Sequence, residues 1–366
     1  MKLGYLPLVF FLLIAQGSLF LVHFVVYEAL VFSFDFGAFL LPLQIGLFIL
    51  SCIFFFSTFL AHQYHNVLSQ ALYKLASIWL GFLFYFFLTS VLIGVIVVLS
   101  EILSLNIPLQ FIGKMLFVLS AALSLYGFTH AQKIRVTTIS VRLPNIPDAW
   151  KNRRAVFFSD IHLGQVRGKK FMQRVVHAVN ALTPDIVFIG GDLYDGVKVN
   201  ESEVIKPLEQ LISAFGTYFI TGNHEYVSGA VAKFIEPIRE LGITVLHDEL
   251  IEIEGLQIVG VDYRDTTQRN EYRDTLASLG IDPTKATILL KHTPAHIDIA
   301  YAHGINFQLS GHTHKAQMFP GNLITRKVFK GFDYGYTKAG EVQEITSSGL
   351  GTWGPPLRTF TKTEVV

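Results

Sequence analysis

The chain has 366 residues, a formal net charge of +1, 51% hydrophobic residues and 16% charged ones, against roughly 25% charged in ordinary soluble domains. A charge so near zero gives no broad attraction to nucleic acid, and no nucleic-acid polymer is expected as a partner. A single cysteine excludes an internal disulfide framework and any four-cysteine zinc site, and the apolar, aperiodic composition excludes disorder and repeat arrays.

Charge is spread unevenly along the chain. Residues 1–132 hold three basic groups (Lys2, Lys74, Lys114) and three acidic ones (Glu28, Asp35, Glu101), whereas 133–366 hold 26 basic and 25 acidic. Four apolar stretches, at about 5–28, 37–61, 75–100 and 111–130, each reach the ~20 residues a helix needs to cross a bilayer. A cleaved signal peptide would be one short run, and soluble helices would keep a polar face, which Leu75–Ser100 lacks. The expected organisation is an all-α, four-span transmembrane region over 1–132 and a normally charged domain over 133–366. With the N-terminus in the cytoplasm, Lys2, Lys74 and the Lys133/Arg135 exit share one side, and Asp35, Glu101 and Lys114 take the other. The excess of positive charge on inner loops then puts the second domain in the cytoplasm, beneath the plasma (inner) membrane. His23, Glu28 and Cys52 form no charged pathway through the spans, so they read as packing or interfacial residues and a transporter is disfavoured.

From Lys133 the pattern changes to strand-like alternation over Ile134–Val141, followed by a turn at Pro144–Pro147. Five short apolar runs come next, each ending in a polar cluster. Ala155–Ser159 runs into Asp160 and His162, Asp185–Gly190 into Asp192 and Asp195, and Thr217–Ile220 into Asn223, His224 and Glu225. Thr287–Lys291 then leads to His292, and Asn306–Ser310 to His312 and His314. Runs of this length read as strands buried on both faces. The intervening stretches Lys169–Leu182, Glu201–Ala214 and Ala230–Leu241 read as helices, which makes the domain α/β. Ligands of such sheets gather beyond the carboxyl ends of the strands, where all five clusters fall. Aspartate, asparagine and histidine are oxygen and nitrogen ligands for divalent metals. Seven such groups exceed what one catalytic ion needs, and two ions sharing a carboxylate would use them all.

The ordered series Asp160-x-His162, Gly191-Asp192-x-x-Asp195, Gly222-Asn223-His224-Glu225, His292 and Gly311-His312-Thr313-His314 resembles that of the calcineurin-like metallophosphoesterases. The likeness covers roughly 150–320, with metal motifs over 160–314, and Gly349–Arg358 resembles the C-terminal segment of a bacterial membrane-linked branch. The resemblance implies a four-layer αββα sandwich holding two divalent metal ions, and mixed His, Asp and Asn ligation suits manganese, iron or zinc. It implies that Asp160, His162 and His314 hold the first ion, that Asp192 bridges, and that Asn223, His292 and His312 hold the second. By the same resemblance His224 faces the leaving-group oxygen as stabiliser or general acid, Glu225 orients it, and Asp195 supports a metal ligand by hydrogen bonding. A water activated by both ions would attack phosphorus in line, with no covalent enzyme intermediate. One departure stands out: the family commonly follows the last histidine with Gly-Gly-Gln, and this chain reads Lys315-Ala316-Gln317. Lys315 is therefore either a phosphate contact or a solvated lysine, and Arg358 either a phosphate fork or part of a structural turn. Lys133, Arg135, Arg142, Lys151, Arg153 and Arg154 read as a juxtamembrane basic surface that could attract anionic headgroups.

The expected activity is hydrolysis of a phosphate ester or pyrophosphate by a membrane-tethered enzyme whose other partner is the lipid bilayer. The substrate is expected to be amphiphilic or lipid-linked, such as the UDP-diacylglucosamine-like molecule that relatives of the family cleave. The alternative is a membrane-anchored phosphodiesterase for soluble nucleotides or cyclic nucleotides. A non-catalytic scaffold would tend to lose ligands, and this chain keeps all seven together with His224.

Overall fold

The computed structural model describes residues 6–64, 66–196, 199–227, 229 and 231–366. Lys2, the start of the first apolar stretch at Tyr5, and Ala230 at the head of an expected helix lie outside the described residues. The chain divides into two compact units, Met1–Thr129 with Gly354–Leu357, and His130–Trp353 with Arg358–Val366.

The first unit contains helices α1 (Leu6–Ser33), α2 (Leu40–Gln63), α3 (Val67–Ile102) and α4 (Leu109–His130). All four are long and apolar enough to cross a membrane, and a helix is the form that satisfies every backbone polar group within one apolar segment. The protein is thus a multi-pass membrane protein. α3 starts earlier than the apolar stretch at 75 because a capping box opens it: Asn66 Oδ1 accepts from Ser69 N–H at 2.9 Å, and Ser69 Oγ from Asn66 N–H at 3.2 Å. Inside the unit Ala29, Ile93 and Phe117 form an apolar core, and His23 is buried, its Nε2 accepting from Trp79 Nε1–H at 3.0 Å. That bond joins α1 to α3 and gives His23 a packing role.

The second unit runs β1 (Ile134–Val136), β2 (Ala155–Phe158), α5 (Lys169–Asn180), β3 (Ile186–Ile189), α6 (Glu201–Ile205), β4 (Thr217–Phe219), α7 (His224–Val227), α8 (Ala232–Glu240) and β5 (Thr244–Val245). It continues with β6 (Glu249–Ile253), β7 (Leu256–Gly260), α9 (Arg269–Ser278), β8 (Thr287–Leu290), α10 (Ile297–Ala302) and β9 (Phe307–Ser310). Helix α11 (Gly321–Val328) and strands β10 (Gly335–Ala339), β11 (Val342–Thr346) and β12 (Thr363–Val365) complete it. One sheet has the order β2-β3-β4-β5, all parallel. The other has the order β10-β11-β9-β8-β7-β6, with β11, β9, β8 and β7 parallel and an antiparallel strand at each edge.

The period-2 alternation of the strands builds the layers. Phe157, Ile186, Phe188, Tyr218 and Ile220 of the first sheet meet Leu256, Ile258, Ile288, Leu290 and Leu309 of the second in one core. The alternate residues Val156, Phe158, Val187, Ile189 and Phe219 face α5, α6 and α8 through Met172, Val175, Ile205 and Ile238. Val259 and Leu289 face α9 and α10 through Tyr272, Leu276 and Ile299. The result is helix, sheet, sheet, helix.

Two elements are shorter than their sequence suggests. The alternation over Ile134–Val141 is a strand only at Ile134–Val136, because its parallel partner β12 offers just three residues. The helix expected over Glu201–Ala214 ends at Ile205 and tightens to a 3-10 turn over Lys206–Gln210, since Pro207 supplies no N–H.

Candidate metal centre

All five polar clusters leave the carboxyl ends of parallel strands: Asp160 and His162 after β2, Asp192 after β3, Asn223 and His224 after β4, His292 after β8, and His312 and His314 after β9. Hydrogen bonds tie these strand ends together, within the first sheet and across to the second. His312 N–H donates to Asp160 Oδ1 at 3.0 Å, and Asp160 N–H donates to Gly191 O at 2.9 Å. His292 uses Nδ1–H on the carbonyl of Gly190 at 2.7 Å, which leaves Nε2 aimed into the site as a lone-pair donor.

Three groupings of ligand atoms converge: Asp160, His162 and His314; His162, Asp192 and His224; and Asp192, His292 and His312. Asn223 joins the last, with Oδ1 3.2 Å from His292 Nε2 and 2.9 Å from His312 Nδ1. Between the outer groups lies Asp192, whose Oδ2 sits 3.8 Å from His162 Nε2 and 3.3 Å from His292 Nε2. Its other oxygen, Oδ1, accepts from His224 N–H at 2.8 Å. His162 Nε2 and His314 Nε2 face each other at 3.0 Å, so the two rings are turned to one point. This donor set, mixed imidazole and carboxylate around two adjacent points, fits two divalent cations.

The backbone bears the same mark. Asp160, His162, Asp192, His312 and His314 all have φ between +48 and +70°, a left-handed conformation uncommon for residues other than glycine. Such geometry collects at functional sites, where surrounding structure holds it. Lys315, Ala316 and Gln317 continue it, at φ 48, 56 and 56°. The two residues that replace the family's usual Gly-Gly therefore keep a glycine-like path without glycine. Gly222 is required for a different reason: a Cβ there would collide with the Asp192 carboxylate.

Burial and charge set the protonation of the ion-free site. Burial disfavours the charged form of His292, but the carboxylates of Asp192 and Asp160 outweigh it and raise its pKa to about 9. Burial acts to raise Asp192, yet His292, His162 and His224 together hold it well below the usual carboxylate range. Burial, with the charge of Asp192, pushes Asp160 up to about 6, the charge on His292 opposing. His312 is lowered to about 3, chiefly by burial and then by the charge on His292.

The remaining site residues have distinct surroundings. Asp195 Oδ1 lies 3.6 Å from His162 Nδ1, the face of that ring opposite the site, and its backbone carbonyl faces His224 Nδ1 at 3.2 Å. The Glu225 carboxylate accepts from the N–H groups of Asp192, Leu193 and Gly222 at 3.0, 2.9 and 2.7 Å. It fastens the Asp192 loop to the Asn223 loop. Arg358 is fully buried and donates to the carbonyls of Ser348 and Gly351, with Nη2 3.2 Å from His314 Nδ1. With no surface it is placed to brace His314 rather than to meet a phosphate. Lys315 lays its ammonium over the Tyr334 ring at 4.2 Å.

Two aromatic residues at the site were not legible in the motif series. Trp353 is 60% exposed with its ring 6.1 Å from that of His224, and Tyr263 has its ring 5.9 Å from His292. The signal for Trp353 was its place in the Gly349–Arg358 segment, which returns to the site: Leu350 and Gly351 N–H donate to the carbonyls of Ser159 and Asp160 at 3.0 and 2.6 Å. Tyr263 follows no motif.

Comparison with known proteins agrees with this geometry. The profile of the family described as calcineurin-like phosphoesterase matches residues 153–316. The chain is 35% identical over 219 residues to an uncharacterized metallophosphoesterase of Helicobacter pylori strain J99, covering 59% of each. It is 32% identical over 267 residues to an uncharacterized metallophosphoesterase of Campylobacter jejuni, covering 71% of this chain and 70% of that one. A Bos taurus protein named transmembrane protein with metallophosphoesterase domain is 33% identical over 263 residues, 67% of this chain and 59% of its own length. The match thus spans about three-fifths of the Helicobacter and bovine proteins. Ligand convergence, strand-end placement and these likenesses lead to one assignment: the chain belongs to the calcineurin-like phosphoesterase family, as a membrane-linked member.

Proposed function

We propose that the protein hydrolyses a phosphate ester or pyrophosphate of an amphiphilic or lipid-linked substrate at a two-metal site, with the catalytic domain in the cytoplasm. The observation that carries the reading is the placement of Asp192 Oδ2 between His162 Nε2 and His292 Nε2, the position of a shared ligand. Asp160, His162 and His314 would hold one cation and Asn223, His292 and His312 the other. Bound there, two divalent cations supply Lewis-acid polarisation of phosphoryl oxygens and an activated water.

The chain's own residues do the rest. Gly190 O, through His292 Nδ1, fixes which nitrogen of that ring is free to ligate, and Asp195 Oδ1 lies 3.6 Å behind His162 Nδ1. His224 directs Nδ1 at the Asp195 carbonyl, so its Nε2 is the atom available to hydrogen-bond or protonate a departing oxygen. The exposed indole of Trp353 beside it supplies apolar surface on that side, which favours an amphiphilic leaving group over a small hydrophilic one. A UDP-diacylglucosamine-like molecule is of this kind. Tethering by the spans confines the site to the bilayer and raises the effective concentration of such a substrate.

The test is to incubate detergent-purified protein with a lipid extract and a panel of soluble and cyclic nucleotides, following phosphate esters by mass spectrometry. Loss of an amphiphilic ester with manganese, and its persistence with chelator, is the expected result. Turnover of soluble nucleotides alone would overturn the substrate class and favour the anchored phosphodiesterase.

A further inference from the structure

A surface cavity of about 720 Å³ lies between the chain leaving α4 and helix α5, and none of the metal-centre residues lines it. Its walls carry Lys133, Arg135, Lys170, Arg174 and His177, and no acidic side chain. The sequence of α5 dictates this: Phe171, Met172, Val175, Val176 and Val179 turn into the core, which leaves Lys170, Arg174 and His177 together on the outer face at spacings of four and three. Among the described residues, no carboxylate pairs with Lys133, Arg135, Lys170 or Arg174, the four permanent cations of the walls. Two other basic residues of the juxtamembrane stretch differ: Lys151 pairs with Asp148 and Arg153 with Asp185.

A fifth cation backs the groove. Arg167 is buried with its guanidinium 4.1 Å from the Phe171 ring, and Arg174 approaches the same ring at 5.7 Å. Only one nitrogen of Arg167, Nη2, finds an acceptor, the Ala131 carbonyl at 3.0 Å, and its Nε and Nη1 have none. Burial and the charges of Arg358 and Arg174 push its pKa down to about 9, so it stays a cation at neutral pH. The groove is also tethered: Lys133 follows His130, the last residue of α4, by three positions, a reach of at most about 11 Å of extended chain.

We propose that this groove binds the phosphate headgroup of an anionic phospholipid in the leaflet that adjoins the second unit. Clustered, uncompensated guanidinium and ammonium groups match a phosphodiester in charge and in donor geometry, and a polybasic segment directly after a span is where an anionic surface is met. The proposal is independent of catalysis, and its test reads binding only. Full-length protein in detergent is titrated with phosphatidylglycerol or phosphatidylcholine and bound lipids are counted by native mass spectrometry. The parent, and a Lys330→Ala/Lys338→Ala control, should hold one phosphatidylglycerol at least tenfold more tightly than phosphatidylcholine. Lys133→Ala/Arg174→Ala should lose that preference, and the charge-keeping Lys133→Arg/Arg174→Lys should retain it, which separates lost charge from lost folding. An unchanged preference in the alanine pair, or none in the parent, would overturn the proposal. So would displacement of the lipid by an equimolar amount of inorganic phosphate, which would make the groove a site for free phosphate.

Discussion

Asp192 divides its carboxylate between two tasks. Oδ1 is held by the His224 N–H, and Oδ2 points between His162 and His292, so neither oxygen is spare. The pKa of His292 gives the ion-free site a defined pH response. Because its folded value of about 9 exceeds the ordinary 6.5, its proton stabilises the ion-free fold fully below 6.5, and that contribution fades as pH rises through about 9. A cation must displace the same proton, so manganese affinity should rise between pH 6.5 and 9 and then level off, with proton release on binding falling to none. Calorimetric titrations in buffers of different ionisation enthalpy read both quantities. Affinity independent of pH would remove the proposed coupling. At Ala316 the left-handed backbone costs about 1–2 kcal/mol, partly offset by the entropy that glycine would lose. Ala316→Gly should therefore stabilise the fold by about 0.5–1 kcal/mol, seen as a rise of a few degrees in the unfolding midpoint. A lower midpoint would mean that the Ala316 methyl packs usefully.

The elements were legible where their apolar runs were long or stood in series. The spans and the strands β2, β3, β4, β8 and β9 follow from continuous Val, Ile, Leu and Phe, and the candidate ligands follow from where those runs stop. What stayed hidden depends on partners distant in sequence. β12 forms only because Ile134–Val136 lies beside it, and Trp353 reaches His224 only because Gly349 and Gly351 let the segment pack on the Asp160 backbone. Glu225 shows the same limit: its neighbour His224 suggests an orienting role, while its actual partners are loop N–H groups 30 or so residues away. Glu225→Gln keeps the size but turns an amide NH₂ toward backbone donors, so the Asp192 and Asn223 loops should loosen. Metal affinity should fall by about 10–100-fold, as for other groups that orient ligands, with far-ultraviolet circular dichroism unchanged. Full affinity in that variant would show that the loops hold without the carboxylate.

For the molecule as a whole, the low charge fraction averages two unlike units, a nearly uncharged helical one and a normally charged α/β one. The single cysteine, Cys52, lies in α2, which makes topology directly testable. In a Cys52→Ser background, a Ser278→Cys variant, at an exposed position of α9, should react with a membrane-impermeant maleimide only after the membrane is opened. Labelling in intact cells would place the catalytic domain on the outer side.

The proposed sharing of Asp192 by two cations is checked most directly by the rate at which purified full-length protein with manganese hydrolyses an aryl phosphodiester, compared with its Asp192→Asn variant. A shared ligand at this position would predict a loss of at least about 100-fold, and a variant that retained the parent rate would contradict the proposed two-metal site.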